Sequence, residues 1–265
     1  MYGVGRREAL KGDLELDEFL ESVRSDVEIS PEYLRHRSIR CFGSEDDRQI
    51  RRWRAYDCIY AELRHGGETF LLSGGIWYRV AKNFVDEIER AVSAIPETKV
   101  VLPRYRWEAE EDYNRRAKKE SAGELALMDQ KNILHGGGRS RIEFCDLYSR
   151  SRVMVHVKRD GGSSVLSHLF NQGLVSAEAF IQDAEFREKV NKKLPATHKI
   201  GATHRRPRPD RFEVAFAIAG KTRDRLALPF FSKVSLRHVA RRLGAIGYRV
   251  TLTNIPPESA SDADE

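Results

Sequence analysis

Long apolar runs are missing from this chain of 265 residues. Nothing approaches the roughly 18 consecutive apolar residues that cross a bilayer, so no membrane association is expected. The opening stretch "MYGVGRREALKGDLELDEF" lacks the apolar core of a secretory signal, which predicts a cytoplasmic protein. Cysteine is scarce: Cys41, Cys58 and Cys145 stand far apart without metal-ligand spacing. Reduced thiols are expected, and a disulfide or zinc site is not. No internal repeat is visible, which argues against a solenoid or propeller. What the chain does have is 40% hydrophobic residues, enough for a core, and a length that suits one large domain or two smaller ones.

Charge is plentiful but uneven. Residues 191–249 hold fifteen Lys and Arg against three acids, Asp210, Glu213 and Asp224, a net of +12. Because the whole chain carries +6, the remainder carries −6. A regional excess of this kind predicts a polyanionic partner, since each neutralised phosphate releases counterions. Nucleic acid is the expected partner, DNA ahead of RNA, bound through Arg205, Arg206, Arg208, Arg211, Lys233, Arg237 and Arg241.

Along the chain, "DLELDEFLESVRS" has helical spacing with Asp13 as N-cap, and "HRSIRCFGSEDDRQIRRW" reads as a short strand and a charged loop. "YDCIYAELRHGGETFLLSGGIWYRVA" reads as three strands turned at Gly66-Gly67 and Gly74-Gly75. An amphipathic helix, "NFVDEIERAVSAI", stops at Pro96. Further on, the pattern predicts a helix over 108–120, a strand in "ELALMDQKNIL", and strands "RIEFCDLYS" and "RVMVHVKR". A helix over 163–171 and a second one capped by Ser176 follow. "FEVAFAIAG", "SLRHVARRLGAIG" and "YRVTLTNI" give strand, helix, strand. The expectation is an α/β protein, a mixed sheet flanked by helices. It comprises an N-terminal helical and β-meander domain (1–100), a larger α/β domain (101–255) and a disordered acidic tail (256–265).

Chemistry gathers at the end of "RVMVHVKR". Alternation places Met154, His156 and Lys158 on one face and Val153, Val155 and Val157 on the other. A hairpin brings Asp146, at the end of the preceding strand, toward that end. A carboxylate, a second ligand and a lysine on neighbouring strand ends suit phosphodiester hydrolysis. The carboxylate holds a divalent cation and the lysine steadies developing charge.

The order helix with acids, strand, strand ending in Asp, strand ending in x-x-Lys, helix resembles the core of the PD-(D/E)xK nuclease superfamily, the restriction-endonuclease-like fold, over residues 105–185. The resemblance implies Asp146 as the metal-binding aspartate and His156-Val157-Lys158 in place of the (D/E)-x-K tripeptide. It further implies Glu111 as a helix-borne acid and Gln172 as the glutamine some members carry after the motif. His156 departs from the pattern, for an acid is normal there and neutral histidine ligates magnesium poorly. Compensation then falls to Asp129 or Glu143, the metal preference is unusual, or the site binds without cutting. Glu143 is the weaker candidate on parity, standing an odd number of residues from Asp146. The phrases "LLSGGIWYRV", "IEFCDLYSRSRVMVHVKR", "SSVLSHLFNQGLVSAEAF" and "LPFFSKVSL" also resemble a sporadic, poorly characterised bacterial family similar to proteins encoded near restriction and anti-phage genes.

The resulting expectation is metal-dependent hydrolysis of nucleic acid in bacterial defence. Asp146, Asp129 and His156 would be ligands, with magnesium or manganese as cofactor and Asp146, His156, Lys158 and Glu111 as catalytic groups. A homodimer or a defence-system partner protein would fit that context. Two rivals stand: a non-catalytic nucleic-acid sensor with a nuclease-like fold, and a nucleotide-dependent transferase in which "LHGGGRSR" embraces a phosphate.

Overall fold

The computed structural model describes residues 2–4, 16–23, 27–42, 49–135, 140–220 and 226–258. Asp13, the glycines 136–138 and residues 259–265 of the expected tail lie outside these, whereas residues 256–258, expected to be disordered, are held: Glu258 N donates to Tyr105 O at 2.8 Å and its carboxylate takes Arg106 at 2.6 Å. The chain divides into two units, Met1–Val85 and Asp86–Glu265.

The first unit contains β1 (Tyr2–Val4), α1 (Leu16–Glu21), α2 (Pro31–His36), β2 (Ser38–Phe42), β3 (Gln49–Arg54), β4 (Ala61–His65), β5 (Glu68–Ser73) and β6 (Ile76–Val80). Strands β1, β2 and β3 form one antiparallel sheet. The pairing of β2 with β3 corrects the expected charged loop, because "QIRRWR" finds a partner that its charge alone does not reveal. The glycine-punctuated meander is present as β4-β5-β6. Its two-residue turns place Gly66 and Gly67 at φ 57° and 78°, and Gly74 and Gly75 at 57° and 76°. Two successive positive angles match the right-handed twist of hairpin strands, and glycine adopts them without strain. At Gly75 a Cβ would also meet Asp57 Oδ1 at 2.4 Å, so that side chain would have to move.

Helix α3 (Lys82–Ser93) spans the division between the units. The second unit continues with α4 (Glu110–Glu120), β7 (Leu125–Leu127), β8 (Ile133–His135), β9 (Ser140–Ile142), β10 (Leu147–Ser149), β11 (Val153–Arg159), α5 (Ser163–Gln182), α6 (Ala184–Lys193), β12 (Glu213–Ala219), α7 (Phe230–Ile246) and β13 (Arg249–Ile255). A mixed five-stranded sheet runs β13-β12-β11-β10-β7. Its first three strands are parallel, and β10 is antiparallel to both β11 and β7. The architecture is α/β, a mixed sheet flanked by helices.

Both faces of the central strands are covered, and β12 shows how. Val214, Phe216 and Ile218 face a thick layer holding Phe170 and Phe180 of α5, Phe186 of α6 and Leu236 of α7. Ala215, Ala217 and Ala219 face a thinner layer with Tyr105, Tyr113 and Ala117. Period-two alternation of large and small apolar residues therefore sets two layer thicknesses on one sheet.

The expected helix break at Ser176 is absent. Helix α5 runs through it, Ser176 is buried with its hydroxyl on the Gly173 carbonyl at 3.2 Å, and the next cap is Asp183, which accepts from Glu185 N at 2.8 Å. Gly173 costs a helix about 1 kcal/mol against alanine. Here it lets α5 lie on the sheet, where a Cβ would meet the Phe216 ring at 2.6 Å. Burial of Leu174, Ala177 and Phe180 outweighs that local cost.

Among the described residues, no helix is long and apolar enough to cross a membrane.

Candidate metal centre and a separate arginine cavity

Strand β9 ends at Ile142 and β10 begins at Leu147, so residues 143–146 follow no strand alternation. The parity argument against Glu143 therefore fails, because it assumed one continuous strand. Asp146 closes this irregular stretch and stitches three strands together. Its N–H donates to Val155 O at 3.0 Å, its carbonyl accepts from Met128 N and Asp129 N at 2.8 and 3.0 Å, and its Oδ2 accepts from Val157 N at 2.6 Å. Those bonds draw the turn after β7 against the end of β11.

Asp129, Glu143 and Asp146 thereby offer carboxylate oxygens that all lie within 4.8 Å of one another. At an effective dielectric of about 20, each pair of full negative charges at that range repels by roughly 3–4 kcal/mol. The chemistry answers with protons or cations. Burial pushes the Asp146 carboxyl well above the ordinary carboxylate range. The Val157 N–H opposes the shift, while Glu143, Asp129 and Glu110 add to it. Burial likewise raises Glu143, against the Gln130 N–H and with the charge of Asp129.

Gln130 shapes this corner. At φ 58° it occupies the left-handed region, which aims its N–H at the Glu143 carboxylate and its side-chain amide at Glu111. Asn114, buried on α4, donates Nδ2 to Asp129 Oδ2 at 3.1 Å, while its Oδ1 is buried with no hydrogen-bond partner among the described residues. An orphaned acceptor beside three carboxylates suits a hydrated divalent ion, whose waters donate. The donor set is hard oxygen throughout, the preference of magnesium, manganese or calcium over zinc or copper.

Lys158 stands at the same strand end. Its Nζ meets Glu110 Oε1 at 2.9 Å, and Glu110 Oε2 takes the Arg159 N–H at 3.3 Å. The helix-borne acid beside the lysine is thus Glu110; Glu111 turns toward Arg115 and Gln130 at the rim. The sequence signal for Glu110 was present in the doubled acid of "EEDYN", but periodicity alone does not choose between neighbours. Gln172 is half-buried on α5, and no hydrogen bond joins it to these residues.

His156 is not among the clustered ligands. It is 3% exposed, packs 6.0 Å from the Phe216 ring and against Gly173, and its Nε2 has no partner among the described residues. Burial lowers its pKa to about 4, so it is neutral at pH 7.

The basic residues separate into two groups. On α7, Lys233 pairs with Glu89 at 2.6 Å and Arg237 pairs with Glu87, while Arg241 is exposed. Arg205, Arg206, Arg208 and Arg211 join Arg152 around a cavity of about 180 Å³ that Tyr148 and Phe212 also line. Arg152 immediately precedes β11 and Lys158 lies near its end. Six residues of extended chain, about 20 Å, separate them. The arginine cavity and the carboxylate cluster therefore occupy opposite ends of the same strands.

No curated protein and no solved structure matches the chain. A family model described as "Family of unknown function (DUF6119)" matches residues 1–256, nearly the whole length, and the chain belongs to that family.

Proposed function

We propose that the second unit is a divalent-metal-dependent phosphodiesterase acting on nucleic acid, with Asp129, Glu143 and Asp146 holding the cation. The observation that carries this reading is the cluster of three oxygen ligands with a lysine at the same strand end. A bound divalent ion would screen the phosphate and lower the pKa of a coordinated water. The chain's own residues supply the rest. Asn114 orients Asp129, the Val157 N–H fixes Asp146, and Gln130 fixes Glu143. Lys158 is held by Glu110 at a partly exposed position, from which its ammonium can exchange that carboxylate for the charge developing on a phosphate.

The order α4, three antiparallel strands β7-β10-β11, α5 and a parallel β12 supports the resemblance to the PD-(D/E)xK core. A role in bacterial defence is proposed on the sequence resemblance to proteins encoded near restriction genes. A second reading, a nucleic-acid sensor without turnover, draws on the buried neutral His156 in the place of the usual acid and on the Lys158–Glu110 ion pair.

The test is incubation of purified protein with plasmid, single-stranded DNA and RNA across magnesium and manganese. Cleavage is expected, with Asp146→Asn and Lys158→Ala each slowing it by roughly a hundredfold or more. Binding without metal-dependent cleavage would favour the sensor, and cleavage indifferent to Lys158→Ala would remove the lysine from the reaction.

A further inference from the structure

The arginine cavity has no part in the metal centre, and its geometry speaks for a different ligand. Five arginines (Arg152, Arg205, Arg206, Arg208 and Arg211) line one cavity. Among the described residues, the carboxylate paired with any of them is Asp210, which takes Arg208 at 2.6 Å. Arg211 also acts on Asp210 through space, and Arg152, Arg205 and Arg206 form no ion pair with a described acid, unlike Lys233 and Arg237 on α7.

The loop that carries the cavity is held in place by the fold. Arg187, 3% exposed, donates Nε to Thr203 O at 2.7 Å and Nη1 to Phe180 O and Ile181 O at 2.8 and 3.1 Å. Asn191 Oδ1 accepts from Ile200 N at 2.8 Å. Backbone bonds Arg205 N to Ala202 O and Arg211 N to Arg208 O set two turns within the loop. Arg152, at φ 67°, places its guanidinium over the Phe212 ring, 5.6 Å from the centroid. The backbone that carries these arginines is thus arranged before any ligand arrives, which reduces the ordering cost of binding.

We propose that this cavity is a binding site for a terminal phosphate, the phosphomonoester dianion of a nucleotide or of a nucleic-acid end. Planar guanidinium forks match phosphate oxygens two at a time, and a dianion with three free oxygens engages more of them than a phosphodiester does. At about 180 Å³ the cavity is below the usual 300–1,000 Å³ of sites for drug-sized ligands. It holds a phosphoryl group and little more, and a whole dinucleotide does not fit inside. This inference does not rest on phosphodiesterase activity.

The experiment is titration of the full chain, in EDTA at fixed salt, with inorganic phosphate, adenosine 5′-monophosphate, and one short oligonucleotide carrying or lacking a 5′ phosphate. The phosphorylated probes are expected to bind. The double variant Arg205→Ala/Arg206→Ala should bind them roughly tenfold or more weakly. Asp146→Asn should bind as the parent does. Mononucleotide binding matched by the oligonucleotide identifies a shared end-phosphate site, and binding of one alone identifies the source. Equal binding of the 5′-phosphate and 5′-hydroxyl oligonucleotides, indifference to the arginine pair, or no binding of any probe overturns the proposal. Thermal melts of both variants confirm that each is folded. Because no cutting is possible in EDTA, the result is independent of whether the metal centre is catalytic.

Discussion

At the Lys158 end of β11, Asp129, Glu143 and Asp146 cluster near a lysine that Glu110 holds; at the Arg152 end, five arginines line a cavity, and one of them, Arg208, pairs with Asp210. One end offers hard oxygen ligands and raised carboxyl pKa values, the other planar donors. Fixed charges do not balance at either end, and protons or ions of opposite sign can make up the difference. The paired cations of α7 make the contrast useful. Lys233 and Arg237 belong to the same basic sequence region, yet acids of α3 already satisfy them. Regional net charge therefore marks candidate polyanion contacts only loosely, and pairing in three dimensions separates them.

The sharpest way to break the two ends apart is Arg187→Met. Removal of its guanidinium leaves the buried carbonyls of Phe180 and Ile181, and the part-buried carbonyl of Thr203, without this donor. At about 1–3 kcal/mol for each unsatisfied buried group, offset in part by the apolar replacement, the loss is roughly 3 kcal/mol in chemical denaturation. Terminal-phosphate binding should fall with it, while divalent-ion binding in the surviving folded fraction should not. Equal damage to both functions would show that the ends are one coupled site.

A smaller effect separates protons from metal at the carboxylate end. Asp146 and Glu143 have folded pKa values raised above their unfolded ones, so the folded state binds protons more tightly. Their contribution to stability is complete below about pH 4 and fades as pH climbs through the raised values. His156 acts in the opposite sense. Its pKa is lowered to about 4 from 6.5, so stability is lost as pH falls from about 6.5 toward 4. Melts in EDTA of the His156→Leu variant should therefore show a stability that declines as pH rises above about 4. Saturating manganese should restore it, by about 2.7 kcal/mol at a hundredfold excess over Kd. Asp146→Asn should abolish the manganese response, and its survival in that variant would place the ion elsewhere.

The smallest expected change is the most diagnostic of pairing. Lys233→Ala removes a partly exposed ion pair with Glu89, so the cost is about 0–1 kcal/mol. Phosphate binding should stay at the parent's level. Were Lys233→Ala to weaken it as much as the Arg205/Arg206 pair does, the distinction between paired and unpaired cations would collapse.

Local pattern carried much of this. The Gly-Gly turns announced the β4-β5-β6 meander, because two positive φ angles in a row admit few residues besides glycine. The apolar FEVAFAIAG run announced a strand, which the structure covers on both faces. Where local rules misled, packing had the larger energy. Ser176 read as the cap of a second helix, but the packing of Gly173 on Phe216 and the burial of Ser176 make this stretch the seam of a continuous helix. At the candidate centre, the hairpin order brought Asp146 and Lys158 to notice, while strand parity discounted Glu143 and grouped His156 with the site. The broken strand before Asp146 undoes the first argument. The second overlooked that a residue can share a strand face with Lys158 and still be sealed under α5.

By itself the sequence determined the alternation of elements, the regional charge and the residue types available for chemistry, since these depend on periodicity and composition. Only the tertiary structure decided which acids converge and which cations are left without partners. Convergence of Asp129, Glu143 and Asp146 depends on backbone bonds among β7, β10 and β11, whose sequence spacing records nothing of their meeting. The isolation of the arginines depends on where the remaining carboxylates go, and folding distributes those across elements far apart in the chain.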